Sequence, residues 1–271
     1  MDLANDDTHM TQDQACATRV DSLDPARISA LAAALGVPDD RARPFWHQIY
    51  FWDARPATSL GLDGHPKIGA LIPDMGLPRR MWAGGRLHFH APPTPGQAAQ
   101  KSTTLLRADR KHGRTGALGL VTLQHEISQD GKLLVSEQQD LIYRAADARS
   151  GTPPEAATDE TASKTHRFTT TELFRYSALT FNGHRIHYDR DYALNVEGYD
   201  GLVVHGPLLA QYLMLMAEDL LGSLSKFDFR ATAPLMDHQS VTFCAKPSED
   251  GLMLWARADD GRQCMSATAT S

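Results

Sequence analysis

The chain has 271 residues, 42% of them hydrophobic and 22% charged, the balance of a soluble globular protein with material for a sizeable core. That excludes a mainly disordered chain, and its 20 glycines and 15 prolines follow no fixed period, which excludes collagen-like and solenoid repeats. A net charge of −6 argues against a nucleic-acid groove, which needs clustered Lys and Arg, so any anionic ligand must find its positive charge gathered locally.

Cys16, Cys244 and Cys264 are an odd number with no C-x-x-C spacing, so a disulfide framework is not expected and a cytoplasmic compartment is the simple reading. The opening MDLANDDTHM is acidic and polar, unlike a signal or transit peptide. The longest apolar stretch, Pro207 to Ala217, is interrupted by Gln211 and too short to span a bilayer, so no membrane is implied.

Residues 1–22, rich in Asp, Thr and Gln, read as a mobile tail. Asp24 to Leu35 reads as a helix, with Asp24 as cap, Pro25 in the first turn and Gly36 with Pro38 as the stop. Residues 41–85 have no sustained period and hold Trp46, Trp52 and Trp82 among prolines and glycines, the marks of a binding loop or of structure that periodicity does not reveal. Leu87–His90, Lys101–Arg110, Gly116–Ile127 and Leu133–Tyr143 read as strands of an antiparallel sheet, parted by turn clusters such as SQDGK. The small, polar, Pro-containing run over 145–163 reads as a linker, which divides the chain into a first domain at 23–147 and a second at 164–271.

In the second domain, Ser163–Phe168 reads as a strand and Thr171–Leu179 as a helix. Gly206–Leu221 is apolar nearly all round and reads as a buried helix with Pro207 in its first turn. Lys226–Ala231, Ser240–Lys246, Leu252–Ala258 and Gln263–Thr270 follow as strands, with Cys244 and Cys264 as buried small residues and Met214 and Met216 as core. The expected class is α+β: antiparallel sheet wrapped around a buried helix, with that helix shortened or replaced in the first half.

The informative stretch runs YSALTFNGHRIHYD from Tyr176 to Asp189, followed by GLVVHGP from Gly201 to Pro207. It resembles the MaoC-like hydratases and dehydratases of the hotdog fold, whose motif sets an aspartate five residues before a histidine ahead of the central helix. Asn182 and His187 have that spacing, and Ile186 matches the apolar residue before the histidine. FNGHRIHYD, with RRMWAGG at Arg79–Gly85, is similar to the branch of 3-methylfumaryl-CoA and itaconyl-CoA hydratases and mitochondrial type 2 hydroxyacyl-thioester dehydratases. The resemblance spans about residues 24–271 and implies a double hotdog acting on an acyl-CoA thioester.

Adding water across an α,β-unsaturated thioester needs a base for water, an acid for the α-carbon and donors for the enolate oxygen. His187 is the first candidate for proton transfer, against the alternative of a hydrogen-bonded structural histidine. Asn182 departs from the family, because an amide orients water but accepts no proton. Either His187 handles both transfers or a carboxylate assists; Asp189 is the obvious one, unless it caps a helix at Arg190–Leu194. Gly206 offers an oxyanion-binding N–H at the start of the buried helix, or else only a tight helix start after His205. In the family the matching glycine N–H binds the thioester oxygen.

His184, Arg185 and His205 read as pocket or loop residues, with Arg185 able to grip a carboxylate or phosphate. Arg79, Arg80 and Trp82 either close over an anionic acyl group or CoA phosphate, or cover apolar surface and pair with acids elsewhere. His184, His187, Asp189 and His205 make a ligand-like list, yet no second cluster has a zinc spacing, so no metal is expected. No cofactor is expected either, since water addition beside a thioester needs no redox chemistry. The expected function is a hydratase of a short branched or dicarboxylic enoyl-CoA, 3-methylfumaryl-CoA above others, in a monomer or homodimer. The alternatives are 3-hydroxyacyl-thioester dehydration in fatty-acid synthesis, a thioesterase, and a non-catalytic acyl-CoA binding module.

Overall fold

A computed structural model describes residues 16–67, 71–113, 116–145 and 152–271. The strands are β1 (Cys16–Asp21), β2 (Arg79–Phe89), β3 (Ala99–Gly113), β4 (Gly116–Gln129), β5 (Lys132–Arg144), β6 (Ala162–His166), β7 (Lys226–Ala231), β8 (Val241–Ser248), β9 (Gly251–Ala258) and β10 (Gln263–Thr270). They form one antiparallel 10-stranded sheet in the order β1-β3-β4-β5-β2-β7-β10-β9-β8-β6. The β4–β5 hairpin turns on Asp130 and Gly131, both left-handed (φ 49° and 76°), which is the two-residue turn that SQDGK encodes.

The two halves of the chain meet at the β2–β7 seam, where Gly84 to His88 pair with Arg230 to Lys226. The glycines of RRMWAGG belong to this seam. A Cβ on Gly84 would stand 2.5 Å from the carbonyl oxygen of Phe229, and one on Gly85 2.7 Å from the Phe229 ring. Only glycine lets β7 approach so closely.

The helices are α1 (Pro25–Leu35), α2 (Thr170–Thr180), α3 (Arg190–Asn195) and α4 (Gly206–Leu221). The local chemistry explains their ends: Asp24 accepts from the Ala26 N–H, Gly36 closes α1 at φ 66°, and Thr169 with Glu172 forms a capping box on α2. In α4, Leu208, Leu209, Ala210, Leu213, Met214 and Ala217 are buried in a core shared with α1. Its polar exceptions are paired across the halves: Gln211 Nε2 donates to the Pro44 carbonyl, and Glu218 meets Arg41 and Arg43. Burying a carboxylate is tolerated because those guanidiniums sit beside it. Segment 41–50, with a 3-10 turn at Trp46–Ile49, thus straps the first half onto α4.

Three expectations need correction. The tail expected over 1–22 is, in its described part, the edge strand β1, paired with β3 from Cys16↔Thr104 to Asp21↔Ala99; a short polar edge strand leaves little periodic signal. The strand expected at Leu87–His90 begins eight residues earlier, at Arg79, because a bulge between Trp82 and Gly84 breaks the alternation. The described part of the linker over 148–163 is pinned to the second half: Trp255 Nε1 donates to the Ala157 carbonyl (3.0 Å) and Arg257 pairs with Glu160. Small residues there leave the backbone open to those donors, and β6 starts at Ala162. No helix of the described residues is long and apolar enough to cross a membrane.

Candidate active site

The loop from Phe181 to Asp189 links α2 to α3 and turns at once, because Phe181 ends α2 in the left-handed region (φ 52°) and the Asn182 N–H bonds back to the Ser177 carbonyl (2.8 Å). Asn182 Oδ1 then accepts from the His184 N–H (3.0 Å), an Asx turn that aims the histidines. Arg185–His187 is a single 3-10 turn. His187 is buried, and its Nδ1 lies 2.7 Å from the Val203 carbonyl oxygen, so Nδ1 carries the proton and Nε2 is left as a base. Burial, reinforced by the charge of His184, pushes the His187 pKa down to about 3.

His205 stacks on His187 with ring centroids 3.7 Å apart and planes 20° apart, and its Nε2 lies 2.8 Å from Ser177 Oγ. It is fully buried, which lowers its pKa well below the usual value. Gly206, the next residue, opens α4, where helix N–H groups lack intrahelical partners and the dipole favours negative charge. Neither strain nor packing demands glycine there. Its φ is not positive, and a Cβ would meet nothing nearer than the Trp82 carbonyl at 3.9 Å. Glycine leaves open space beside its N–H.

A second loop completes the arrangement, and it comes from the first half. Residues 60–66 close on themselves through the Leu60↔Pro66 bridge and dock on the 182–185 turn: the Arg185 N–H donates to the Asp63 carbonyl (2.9 Å) and Arg185 Nη1 to the Leu62 carbonyl (3.1 Å). The contact is backbone to backbone, since a Cβ on Gly64 (φ 88°) would fall 1.9 Å from the Gly183 carbonyl oxygen. This brings the His65 ring to 4.2 Å from that of His184, which lies 5.4 Å from His187. Asp63 Oδ2 is 3.1 Å from His65 Nδ1, and Oδ1 accepts the His65 N–H. Burial opposes ionisation of Asp63, but these bonds from His65 prevail and hold its pKa at about 2.

Residues 45–237 match the family described as hydroxyacyl-thioester dehydratase type 2. Over 257 residues, 90% of either chain, the sequence is 41% identical to a mesaconyl-C(4)-CoA hydratase of Chloroflexus aurantiacus. The chain belongs to the hydroxyacyl-thioester dehydratase type 2 family. A MaoC-like dehydratase from Phytophthora capsici has the same fold (TM-score 0.70, 10% identity, 95% of both chains). So does a Mycobacterium tuberculosis protein with a double hotdog fold (TM-score 0.52, 16% identity, 90% and 87% of the chains). The fold is a double hotdog and the protein is a hydro-lyase, a hydratase or dehydratase of acyl thioesters.

In this hydro-lyase some of the residues singled out in the sequence converge and others do not. His184, His187, His205 and Gly206 converge at the start of α4, whereas the Trp82 indole packs on Phe45 and Phe229 and donates Nε1 to the Gly84 carbonyl (2.9 Å), covering apolar surface rather than closing over a ligand. Asp189 and Arg185 serve the loop instead. Asp189 Oδ1 caps α3 by accepting the Tyr192 N–H (3.0 Å), while Oδ2 accepts from Arg185 Nη2 (2.7 Å) and Nε (3.0 Å). Both carboxylate oxygens are spent, and the N–H of Tyr192, then Arg185, hold its pKa below the ordinary range. Arg185 also lies over the Tyr192 ring at 4.1 Å.

Arg79 is engaged by Glu197, through the carbonyl (3.4 Å) and the carboxylate (3.7 Å). Arg80 is half-buried and in no ion pair among the described residues, and its charge acts on both His65 and His184. Donor atoms of Asp63, His65 and His184 gather within 4.8 Å of one another, and Asp63 Oδ2 and His65 Nδ1 are hydrogen-bonded to each other there. Asp63 and His65 escaped the sequence reading. Their signal was the D-x-H spacing of Asp63-Gly64-His65 inside the aperiodic stretch.

Proposed function

We propose that the protein adds water reversibly across the double bond of a short dicarboxylic enoyl-CoA, with 3-methylfumaryl-CoA (mesaconyl-CoA) as the best fit and a citramalyl-type CoA as product. The observation that carries the reaction class is His187, a neutral imidazole with Nδ1 fixed on the Val203 carbonyl, stacked beside the residue that precedes Gly206. With the thioester oxygen at the Gly206 N–H, the start of α4 stabilises the negative charge that develops there. His187 Nε2 then lies on the acyl side, in reach of the carbons that change bonding. Asn182 orients the loop through its Oδ1 and takes no proton.

Arg80 supports the dicarboxylic reading. In 3-methylfumaryl-CoA a free carboxylate sits on the β-carbon, the one water attacks, and its charge opposes that attack. The Arg80 guanidinium, in no ion pair among the described residues and with its charge felt at His65 and His184, offsets that charge and draws the free carboxylate towards the histidines. The 41% identity to a hydratase named for such a substrate points the same way. Both halves of the site come from one chain, so no second copy is needed to complete it. The three cysteines are free, as a reducing cytoplasm would keep them.

Incubation with a panel of enoyl-CoAs in heavy-oxygen water, followed by mass analysis of the acyl products, tests this. One heavy oxygen in the acyl product of 3-methylfumaryl-CoA, with monocarboxylic enoyl-CoAs turned over at least tenfold more slowly, is the expected result. The family description favours one second reading, dehydration of 3-hydroxyacyl thioesters. Equal or better turnover of long, monocarboxylic 3-hydroxyacyl thioesters would replace the first reading with it, and release of free CoA thiol would overturn both.

A further inference from the structure

Asn182 leaves the site one proton carrier short, and Asp189 does not fill the place because both of its oxygens are bonded within its own loop. The only other carboxylate in the docked loops is Asp63, and it is joined to a histidine. His65 has its Nδ1 on Asp63 Oδ2 at 3.1 Å, which fixes the tautomer with the proton on Nδ1 and leaves Nε2 as the basic nitrogen. No side chain among the described residues bonds that Nε2. His65 keeps about a fifth of its side-chain surface exposed (21%), so solvent reaches it, whereas His187 is 7% exposed and His205 is closed off. Burial and the Arg80 charge lower the His65 pKa, and the ionised Asp63 works against them, favouring the imidazolium that forms when His65 takes a proton.

Resting on the hydratase reading, we propose that His65, contributed by the first half and held by Asp63, is the base that activates water, with His187 serving the α-carbon. The spatial order supports the division. From the Gly206 end the rings run His205, His187, His184, His65, with centroids 3.7, 5.4 and 4.2 Å apart in turn. The thioester carbonyl, the α-carbon and the β-carbon with its incoming oxygen follow one another in the same direction.

As the water oxygen bonds to the β-carbon, its proton passes to Nε2 of His65. The π pair of the double bond moves through the α-carbon to the thioester oxygen at Gly206. His184, between the two, passes the proton from His65 to Nε2 of His187, which begins the turnover neutral. The enolate then returns its pair to the α-carbon, which takes that proton from His187, so a turnover consumes water alone. Asp63 is a positioning residue, and His65 touches the reacting water.

The test uses His65→Ala, His65→Gln and Asp63→Asn in the full chain, assayed for hydration of 3-methylfumaryl-CoA beside the wild type. A lost general base is expected to cost about 10²–10⁴-fold in kcat, with KM within about threefold. Asp63→Asn should lose less, and the acid limb of its kcat/KM profile should move to lower pH because the imidazolium has lost its partner. Added imidazole should restore at least tenfold of the rate to His65→Ala and none to His187→Ala, a rescue that a purely structural role would not permit. Wild-type rates in His65→Gln, or lost activity in His65→Ala that imidazole leaves unmoved, would overturn the assignment of His65 while the hydratase reading stands. An inactive wild type on every enoyl-CoA would overturn both.

Discussion

The docking of one half's loop on the other's is a backbone fit, and Gly64→Ala tests it directly. The new Cβ would stand 1.9 Å from the Gly183 carbonyl oxygen and 2.9 Å from its carbon, so no rotamer change relieves the clash. The left-handed φ of 88° adds roughly 1–2 kcal/mol of strain for a non-glycine residue. Relief comes from separating the loops, and that forfeits the two bonds that Arg185 makes to the Asp63 and Leu62 carbonyls. Those are worth about 1 kcal/mol for the neutral bond and about 1.5–3 kcal/mol for the charged one. The stability loss is therefore capped near 5 kcal/mol, because the loop can undock before the sheet unfolds. At about 2–4 °C per kcal/mol for a chain near this size, Tm should fall by roughly 5–20 °C. The loss in rate should be larger, since misplacing reacting groups by about 1 Å costs about 10²-fold. Gly131→Ala is the control: its φ is also left-handed, at 76°, but nothing lies within 4 Å of the new Cβ, so it should lose only the strain and keep its kcat. Differential scanning calorimetry with hydratase kinetics reads both. Gly64→Ala with wild-type kcat and a Tm matching Gly131→Ala would refute the docking argument.

His187→Ala should lower kcat about 10²–10⁴-fold while Tm shows the fold intact, and full retained activity would remove His187 from the chemistry. Gly206→Ala should leave Tm within about 1 °C, since its Cβ has room, yet raise KM or lower kcat by blocking the N–H; unchanged kinetics would make Gly206 a helix start only. Arg80→Ala should lose the preference for dicarboxylic over monocarboxylic enoyl-CoAs, read from the ratio of kcat/KM values, and an unchanged ratio would place the free carboxylate elsewhere. Acid should unfold the protein early. His184 and His187 are held near 3 and His205 well below 6.5 by burial, so below about pH 6.5 the unfolded chain binds protons that the folded one refuses. Stability is whole above that pH, and because burial lowers His47, His65 and His125 as well, it should fall by at least roughly 4 kcal/mol per unit between pH 6 and 4, a slope that urea titrations at several pH values would show or deny.

The second half was legible because its signals are local. The helix Gly206–Leu221 and the strand Gln263–Thr270 have in the structure the bounds that apolar pattern, Pro207 and Gly222 give them. The FNGHRIHYD loop declares itself by motif and spacing, and so does the convergence of His187 with Gly206. Asp189 shows where such reasoning stops: a helix cap and a proton carrier look alike in sequence, and only the bonds to Tyr192 and Arg185 separate them. The first half's share was hidden for a different reason. Arg80 was named from its sequence neighbours, but Asp63 and His65 lie in a small closed loop without a period, and their meaning depends on a partner more than 100 residues away in the chain. The glycines at 64, 84 and 85 were visible, but what each avoids is the backbone or ring of the other half. A glycine kept for close approach therefore marks a meeting of distant segments. In this chain two such meetings, the β2–β7 seam and the Gly64–Gly183 contact, join the halves, and the second brings the first half's His65 to the second half's His184.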